Sequence, residues 1–184
     1  MKNITRWSLM RNSAVENVQE HSHMVAIIAH ALAVIRRDIF DIPVDPGHVA
    51  ARALFHDASE IFTGDMPTPI KYFNSELMSA YKGVEDAALR KLLLALPTKM
   101  RPAYQELLPS GGSDVLMIVK AADTLSAYIK CLEELSAGNL EFRLAAEQSL
   151  QKLKALNMPE VEYFIEHFIP AFEMTLDELD FSFE

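Results

Sequence analysis

Cysteine is nearly absent from this chain, glycine is scarce, and no block of like charge occurs. The single cysteine among 184 residues, Cys131, rules out an internal disulfide and agrees with a reducing compartment. Cys131 lies in an apolar helical run, with no histidine near it in sequence. It reads as a small core residue, not as a catalytic nucleophile. Six glycines in the whole chain leave long stretches free of both glycine and proline, the pattern of helices joined by short loops. No run of lysine or arginine exceeds two residues, and the formal charge is −9. That excludes a broad footprint for a nucleic acid polymer. A small phosphorylated substrate stays compatible, provided a metal and one or two basic side chains meet its charge. No G-x-x-x-x-G-K phosphate loop is present. The opening MKNITRWSLMRNS lacks the apolar stretch of a signal peptide. The longest apolar run, Met24 to Ile35, contains His30 and is too short to span a bilayer. A cytoplasmic protein without a membrane partner is expected.

Half of the residues are hydrophobic, enough for one core over residues 1–184. The pattern shows no β-alternation, internal repeat or low-complexity tract, so an all-α domain is expected. Val18, Val25, Ile28, Ala29, Leu32 and Ile35 recur at helical spacing and predict a first helix from about Val15 to Arg37, capped by Asn12 or Ser13. Asp45-Pro46 opens a second helix that carries His56 and ends near Gly64. Two prolines in DMPTPIKYF predict an extended loop. Asn74 or Ser75 caps a third helix to about Leu96, and a short one follows between Thr98 and Leu107. PSGGS is the clearest and most flexible loop. Ser113 or Asp114 then starts a long helix to Ala137, with Gly138 as its stop. Segments near Glu141–Leu156 and Pro159–Phe168 complete the chain.

Chemistry concentrates in ALFHDASEIFTGD. The adjacent pair His56-Asp57, one histidine upstream and Asp123 downstream can close two imidazoles and two carboxylates around one divalent cation. Mixed N/O donors suit Mn, Co, Fe, Ni or Zn. Such a metal lowers the pKa of bound water and polarises a phosphoryl oxygen, which points to hydrolysis of a phosphate ester. On a continuous helix, His56 and Glu60 share a face, so Glu60 can orient or deprotonate the water; the alternative is an exposed helix-end glutamate. His21 and His23 point to different faces, and His23 and His30 lie two turns or about 10 Å apart, so at most one of the three is a ligand. Asp123 is costly inside its apolar helix unless a metal or Lys120, three residues earlier, meets it. Asp65 is either a turn residue or an acceptor for a substrate hydroxyl, with Met66, Pro67 and Thr68 lining the same mouth. Arg6 and Trp7 are either surface packing or a phosphate clamp and a wall against a sugar or base.

The order H…HD…D resembles the HD-domain metal-dependent phosphohydrolases. The strings RWSLMRN, ENVQEHS, FHDASEIFTGDMPTPIKYFN, KAADTLSAYIKCLEELSAGN and FIPAFEMTLDEL are similar, over nearly the whole chain, to the bacterial HD-domain 5′-deoxynucleotidases. The resemblance implies an all-α HD fold with metal ligands His21, His56, Asp57 and Asp123. It implies that Arg6 orients the phosphate and Trp7 contacts the substrate. Asp65 to Thr68 would line the nucleoside pocket, and Glu60 would assist the attacking water. Asp57, Asp65 and Asp123 would also face the substrate. The implied cofactor is one divalent metal such as cobalt or manganese, the substrate a deoxyribonucleoside 5′-monophosphate, and the assembly a homodimer. Trp7 and the Asp65–Thr68 loop would leave no room for a 2′-hydroxyl. The rival readings are another HD chemistry, on a cyclic nucleotide or guanosine tetraphosphate, or a nucleotide sensor without catalysis. Arg6-Trp7 comes sooner in this chain than in the members it resembles. That bears on the positioning of those two residues and not on the metal ligands.

Overall fold

The computed structural model describes residues 1–109 and 113–178, so most of the PSGGS loop lies outside the described residues. Ten α-helices form within them: α1 (Val18–Asp38), α2 (Pro46–Leu54), α3 (Glu60–Thr63), α4 (Thr68–Lys71), α5 (Ser75–Ala95), α6 (Arg101–Leu107), α7 (Asp114–Ser136), α8 (Arg143–Ala155), α9 (Pro159–His167) and α10 (Ile169–Phe172). Among the described residues there is no strand, only an isolated antiparallel bridge between Thr5 and Asn17. The all-α expectation holds.

Helix starts follow local chemistry. Asp45 caps α2 through the amides of Gly47 and His48, and Pro46 occupies its first turn, where no helical amide bond is missed. Asn74 caps α5 and Ser113 caps α7, as expected. Gly138 follows α7 with a positive φ of 83°, a conformation that glycine reaches without a Cβ penalty. Three boundaries differ from expectation. The cap of α1 is Asn17, not Asn12 or Ser13, because Asn17 and Glu20 complete a reciprocal capping box. The second helix stops at Leu54, and five turn residues separate it from α3. The proline-rich segment is not all extended: Thr68–Lys71 is helical, with Pro69 in the first turn.

The main core joins α1, α2, α7 and α9. Val25, Ile28, Ala29, Leu32 and Ile35 of α1 meet Val49 and Ala53 of α2, Ile118, Ala122, Leu125 and Ile129 of α7, and Val161 and Phe164 of α9. Full burial of a side chain such as Leu32 stabilises the fold by about 1.5–3 kcal/mol. Although α1 has the length and apolarity of a membrane span, over half of its most apolar window is buried within the protein. Arg36 reaches the fully buried Glu160 at 2.6 Å and ties α1 to α9. A smaller cluster of Cys131, Phe142 and Ala146 packs against Trp7 and Met10. As expected, Cys131 is fully buried, and burial pushes its thiol up to about 12.

The N-terminal arm crosses the start of α1. The Arg6 amide donates to the Glu16 carbonyl at 2.9 Å, and the Val18 amide to the Ile4 carbonyl at 3.0 Å. Further along, the Glu134 carboxylate on α7 accepts from the amides of Ser13 and Ala14 and from Asn139, and Lys130 donates to both Glu134 and the Ala14 carbonyl. These bonds place Arg6 and Trp7 beside the N-terminal end of α1.

Candidate metal centre

The first turn of α1, the turn after α2 and the middle of α7 converge on one point. His21 is fully buried at the start of α1, whereas His23 and His30 are exposed. His21 Nε2 lies 3.0 Å from Asp123 Oδ1 and 3.6 Å from Asp57 Oδ2. His56 Nε2 lies 3.0 Å from Asp57 Oδ2, and the two imidazole centroids are 5.2 Å apart. Donor atoms of His21, His56 and Asp123 all fall within 4.8 Å of one another. The Lys120 alternative for Asp123 is not realised: no ion pair joins them, and Asp123 is oriented to His21.

The turn after α2 explains how His56 and Asp57 enter the cluster together. Its amides bond three residues back, from Phe55 to Arg52, His56 to Ala53, Ala58 to Phe55 and Glu60 to Asp57. This tighter winding replaces the continuous helical face expected for His56 and Glu60. Glu60 instead starts α3 with its side chain buried.

Both histidines are oriented for Nε2 to act as a donor atom. His56 Nδ1–H donates to the Ala53 carbonyl at 2.7 Å, and His21 Nδ1 lies 3.2 Å from Ser126 Oγ. Outer contacts of this kind fix the tautomer and ring direction of a metal-binding histidine. The inner atoms are left over. His21 Nε2, His56 Nε2, Asp57 Oδ2 and Glu60 Oε2 are all buried without a hydrogen-bond partner among the described residues. The 3.0 Å ion-pair contacts of His21 Nε2 with Asp123 and of His56 Nε2 with Asp57 meet part of the cost of burying such atoms, and Glu60 Oε2 has no such contact; a bound cation would meet the rest.

The charges point the same way. Burial disfavours a charged His56, yet Asp57 and Asp123 outweigh it and carry its pKa up to about 9. Burial opposes ionised Asp57 as well, but His56 and His21 hold it below the ordinary range; Asp123 is lowered by His21, His56 and Arg6 against its own desolvation. Burial, with the carboxylates of Asp57 and Asp65, pushes Glu60 up to about 8. Asp65 is raised chiefly by burial and feels Arg6, Asp57 and His21. Four carboxyls thus surround two imidazoles and one guanidinium, an acidic excess that a divalent cation offsets.

Of the other expected site residues, Arg6 comes close, with Nη1 3.7 Å from Asp57 Oδ2. Trp7 stacks obliquely on Phe142 at 5.3 Å. Met66 and Pro67 are half-buried, and Thr68 is exposed at the start of α4; none makes a side-chain hydrogen bond to the cluster. Three groups were missed from sequence: Glu16, Ser126 and the Ala53 carbonyl. Ser126 had a signal, lying three residues after Asp123 on the same helix face. Glu16 had none beyond its place inside ENVQEHS. An open cleft of about 480 Å³, lined by His48, Arg52, Pro102, Gln105 and Glu106, shares no residue with this cluster.

Comparison with known proteins gives this geometry its context. The family model for 5′-deoxynucleotidase YfbR-like proteins matches residues 1–172. This chain belongs to the YfbR-like family. A 5′-deoxynucleotidase of Vibrio atlanticus is 46% identical over 97% of this chain and 93% of its own length. One from Photobacterium profundum is 48% identical over the same shares. The crystal structure of an HD-domain phosphohydrolase from Listeria innocua superposes with a TM-score of 0.80 at 26% identity, covering 92% of this chain and 83% of that one. The YfbR-like chain therefore has the all-α HD-domain fold.

Proposed function

We propose that this chain is a metal-dependent 5′-deoxynucleotidase, a phosphoric monoester hydrolase that cleaves deoxyribonucleoside 5′-monophosphates to deoxyribonucleoside and phosphate. The observation that carries the metal reading is the group of orphaned buried donor atoms on His21, His56 and Asp57, facing Asp123. Full-length relatives named 5′-deoxynucleotidase support the substrate class. The residues fit one divalent transition metal, Co²⁺ or Mn²⁺, held by His21, His56, Asp57 and Asp123. When bound, such a metal supplies a water of lowered pKa and polarises a phosphoryl oxygen. To hold such a metal, His56 would have to be neutral at Nε2.

The surrounding side chains divide the remaining work. Arg6, held beside Asp57, offsets charge on the phosphoryl oxygens as the ester bond breaks. Glu60, whose carboxyl titrates near neutral pH, takes a proton from the attacking water and returns it toward the 5′-oxygen. Asp65 accepts a hydrogen bond from the sugar, Met66, Pro67 and Thr68 form the mouth, and Trp7 is the wall on which the deoxyribose rests. The functional unit is a single HD domain over residues 1–184, acting in the cytoplasm as a homodimer. Support for the dimer comes from α5: of its 21 residues only Tyr81 and Ala88 are buried, while Met78, Val84 and Leu94 are exposed.

Phosphate release from dAMP and AMP tests the reading, on chelator-stripped protein with Co²⁺, Mn²⁺, Mg²⁺ or no metal, beside His56→Ala. The expected result is metal-dependent release from dAMP well above AMP, reduced at least about 1,000-fold in the variant. Metal binding without release from either nucleotide would move the assignment to another phosphorylated substrate or to a sensor.

A further inference from the structure

Arg6 and Trp7 are neighbours in sequence, and both side chains reach one oxygen of one carboxylate. Arg6 Nε donates to Glu16 Oε2 at 3.1 Å and Trp7 Nε1 to the same atom at 3.0 Å. The second oxygen, Glu16 Oε1, lies 3.8 Å from His21 Nδ1. We infer that Glu16 is the positioning residue for sugar discrimination, holding the phosphate clamp and the sugar wall in fixed register beside the metal ligands. This inference rests on the deoxynucleotidase reading above.

The backbone shows why a hold is needed. Trp7 adopts a φ of 57°, in the left-handed region that bulky residues seldom occupy. Such strain persists only where the surroundings over-determine it, and it clusters at ligand-binding sites. Phe142 supports one face of the indole, and the Trp7 carbonyl accepts from the Met10 amide and Asn12 Nδ2. None of these contacts involves the indole N–H. The bond from Nε1 to Glu16 fixes the direction in which it points. On the other partner, Glu16 occupies Nε, Nη1 faces Asp57 Oδ2 at 3.7 Å, and Nη2, with no carboxylate contact among the described residues, is left for a phosphoryl group. Glu16 is itself anchored, because its carbonyl accepts the Arg6 amide and Asn17, the cap of α1, follows it directly. The same short segment therefore starts α1, orients His21 and aims Arg6 and Trp7.

The variants Glu16→Ala and Glu16→Gln separate positioning from folding. Three readouts are needed: kcat and KM for dAMP and AMP, thermal stability, and the emission of the chain's single tryptophan, Trp7. In E16A the kcat/KM preference for dAMP over AMP should fall about 10-fold, within the range a site commands over a single hydroxyl. KM for dAMP should rise more than kcat falls. Trp7 emission should shift to the red and become easier to quench. In E16Q the carbonyl oxygen still accepts from Nε1, so the preference should stay within about 3-fold of wild type and the emission should be unchanged. If E16A fails to fold, Trp7→Phe keeps a smaller aromatic ring against Phe142, removes the N–H donor, and should lower the same preference. An unchanged preference in E16A (or in W7F, where that is the variant used) would overturn the inference, as would a preference lost to the same extent in E16Q. Wild-type protein without any preference for dAMP would sink the substrate reading instead, and the emission of E16A against E16Q would still report whether Glu16 holds Trp7.

Discussion

Helix α7 carries two buried polar clusters, and they differ in one respect. Around Glu134, every buried oxygen and nitrogen finds a partner within the protein: Lys130, Ser13, Ala14 and Asn139. Around Asp123, about three turns earlier, the inner atoms of His21, His56 and Asp57 meet only one another and Asp123 in ion-pair contacts at 3.0–3.6 Å, and Glu60 Oε2 has no hydrogen-bond partner among the described residues. The first cluster is closed and serves the fold by latching the N-terminal arm onto α7. The second is open on one side, and its cost makes sense only if a ligand completes it. Buried atoms without a hydrogen bond also occur singly elsewhere, at Asn12, Arg52 and Glu160; what sets the second cluster apart is that four of them converge on one point.

Substitution within each cluster sharpens the contrast. Glu134→Ala leaves Lys130 buried without its counter-charge, with only the Ala14 carbonyl to accept from it, and should cost about 3–5 kcal/mol of unfolding free energy, measured by urea titration. In the metal-free protein the Glu60 carboxyl is pushed up to about 8, so at neutral pH Glu60→Gln mostly replaces a neutral group. Stability should then change by less than about 0.5 kcal/mol, while phosphate release, which uses the ionised form as base, falls sharply. Equal destabilisation by the two would erase the distinction.

Metal should stabilise through the open cluster alone. Mn²⁺ at about 100 times its Kd should raise the unfolding free energy of stripped wild-type protein by about 2.7 kcal/mol. The same increment is expected in the Glu134 variant and none in His56→Ala. Acid should act on the closed cluster with a smaller effect per step. Lys130, the amides of Ser13 and Ala14 and Asn139 hold Glu134 far below its ordinary value near 4.5, against the cost of burial. Its contribution is therefore fully present above that value and lost as pH falls below it, at up to about 1.4 kcal/mol per pH unit for one proton. Unfolding measured from pH 5 to 3 should show a shallower decline in Glu134→Gln.

The fold was largely legible because helix signals are local. Asp45-Pro46, Asn74, Ser113 and Gly138 each declared a boundary by their own chemistry. The errors came where two local signals competed. Asn12 and Ser13 looked like caps, but Asn17 with Glu20 satisfies two amides reciprocally and wins. The break after Leu54 left no mark, because nothing in ALFHDASE opposes a helix; the turn there brings His56 and Asp57 against His21 of α1, a contact that no local signal announces. The site was legible as residue types, not as an arrangement. Spacing could not choose His21 over His23 or His30, since that depends on which face of α1 the core covers. Glu16 stayed hidden because its partners, nine and ten residues away, meet it only through a chain reversal.

The arm that bears Arg6 and Trp7 precedes α1, and its two side chains are held by Glu16 at the far end of the reversal. Every proposed metal ligand lies outside the arm, so it separates the grip on phosphate and sugar from the grip on the cation along the chain.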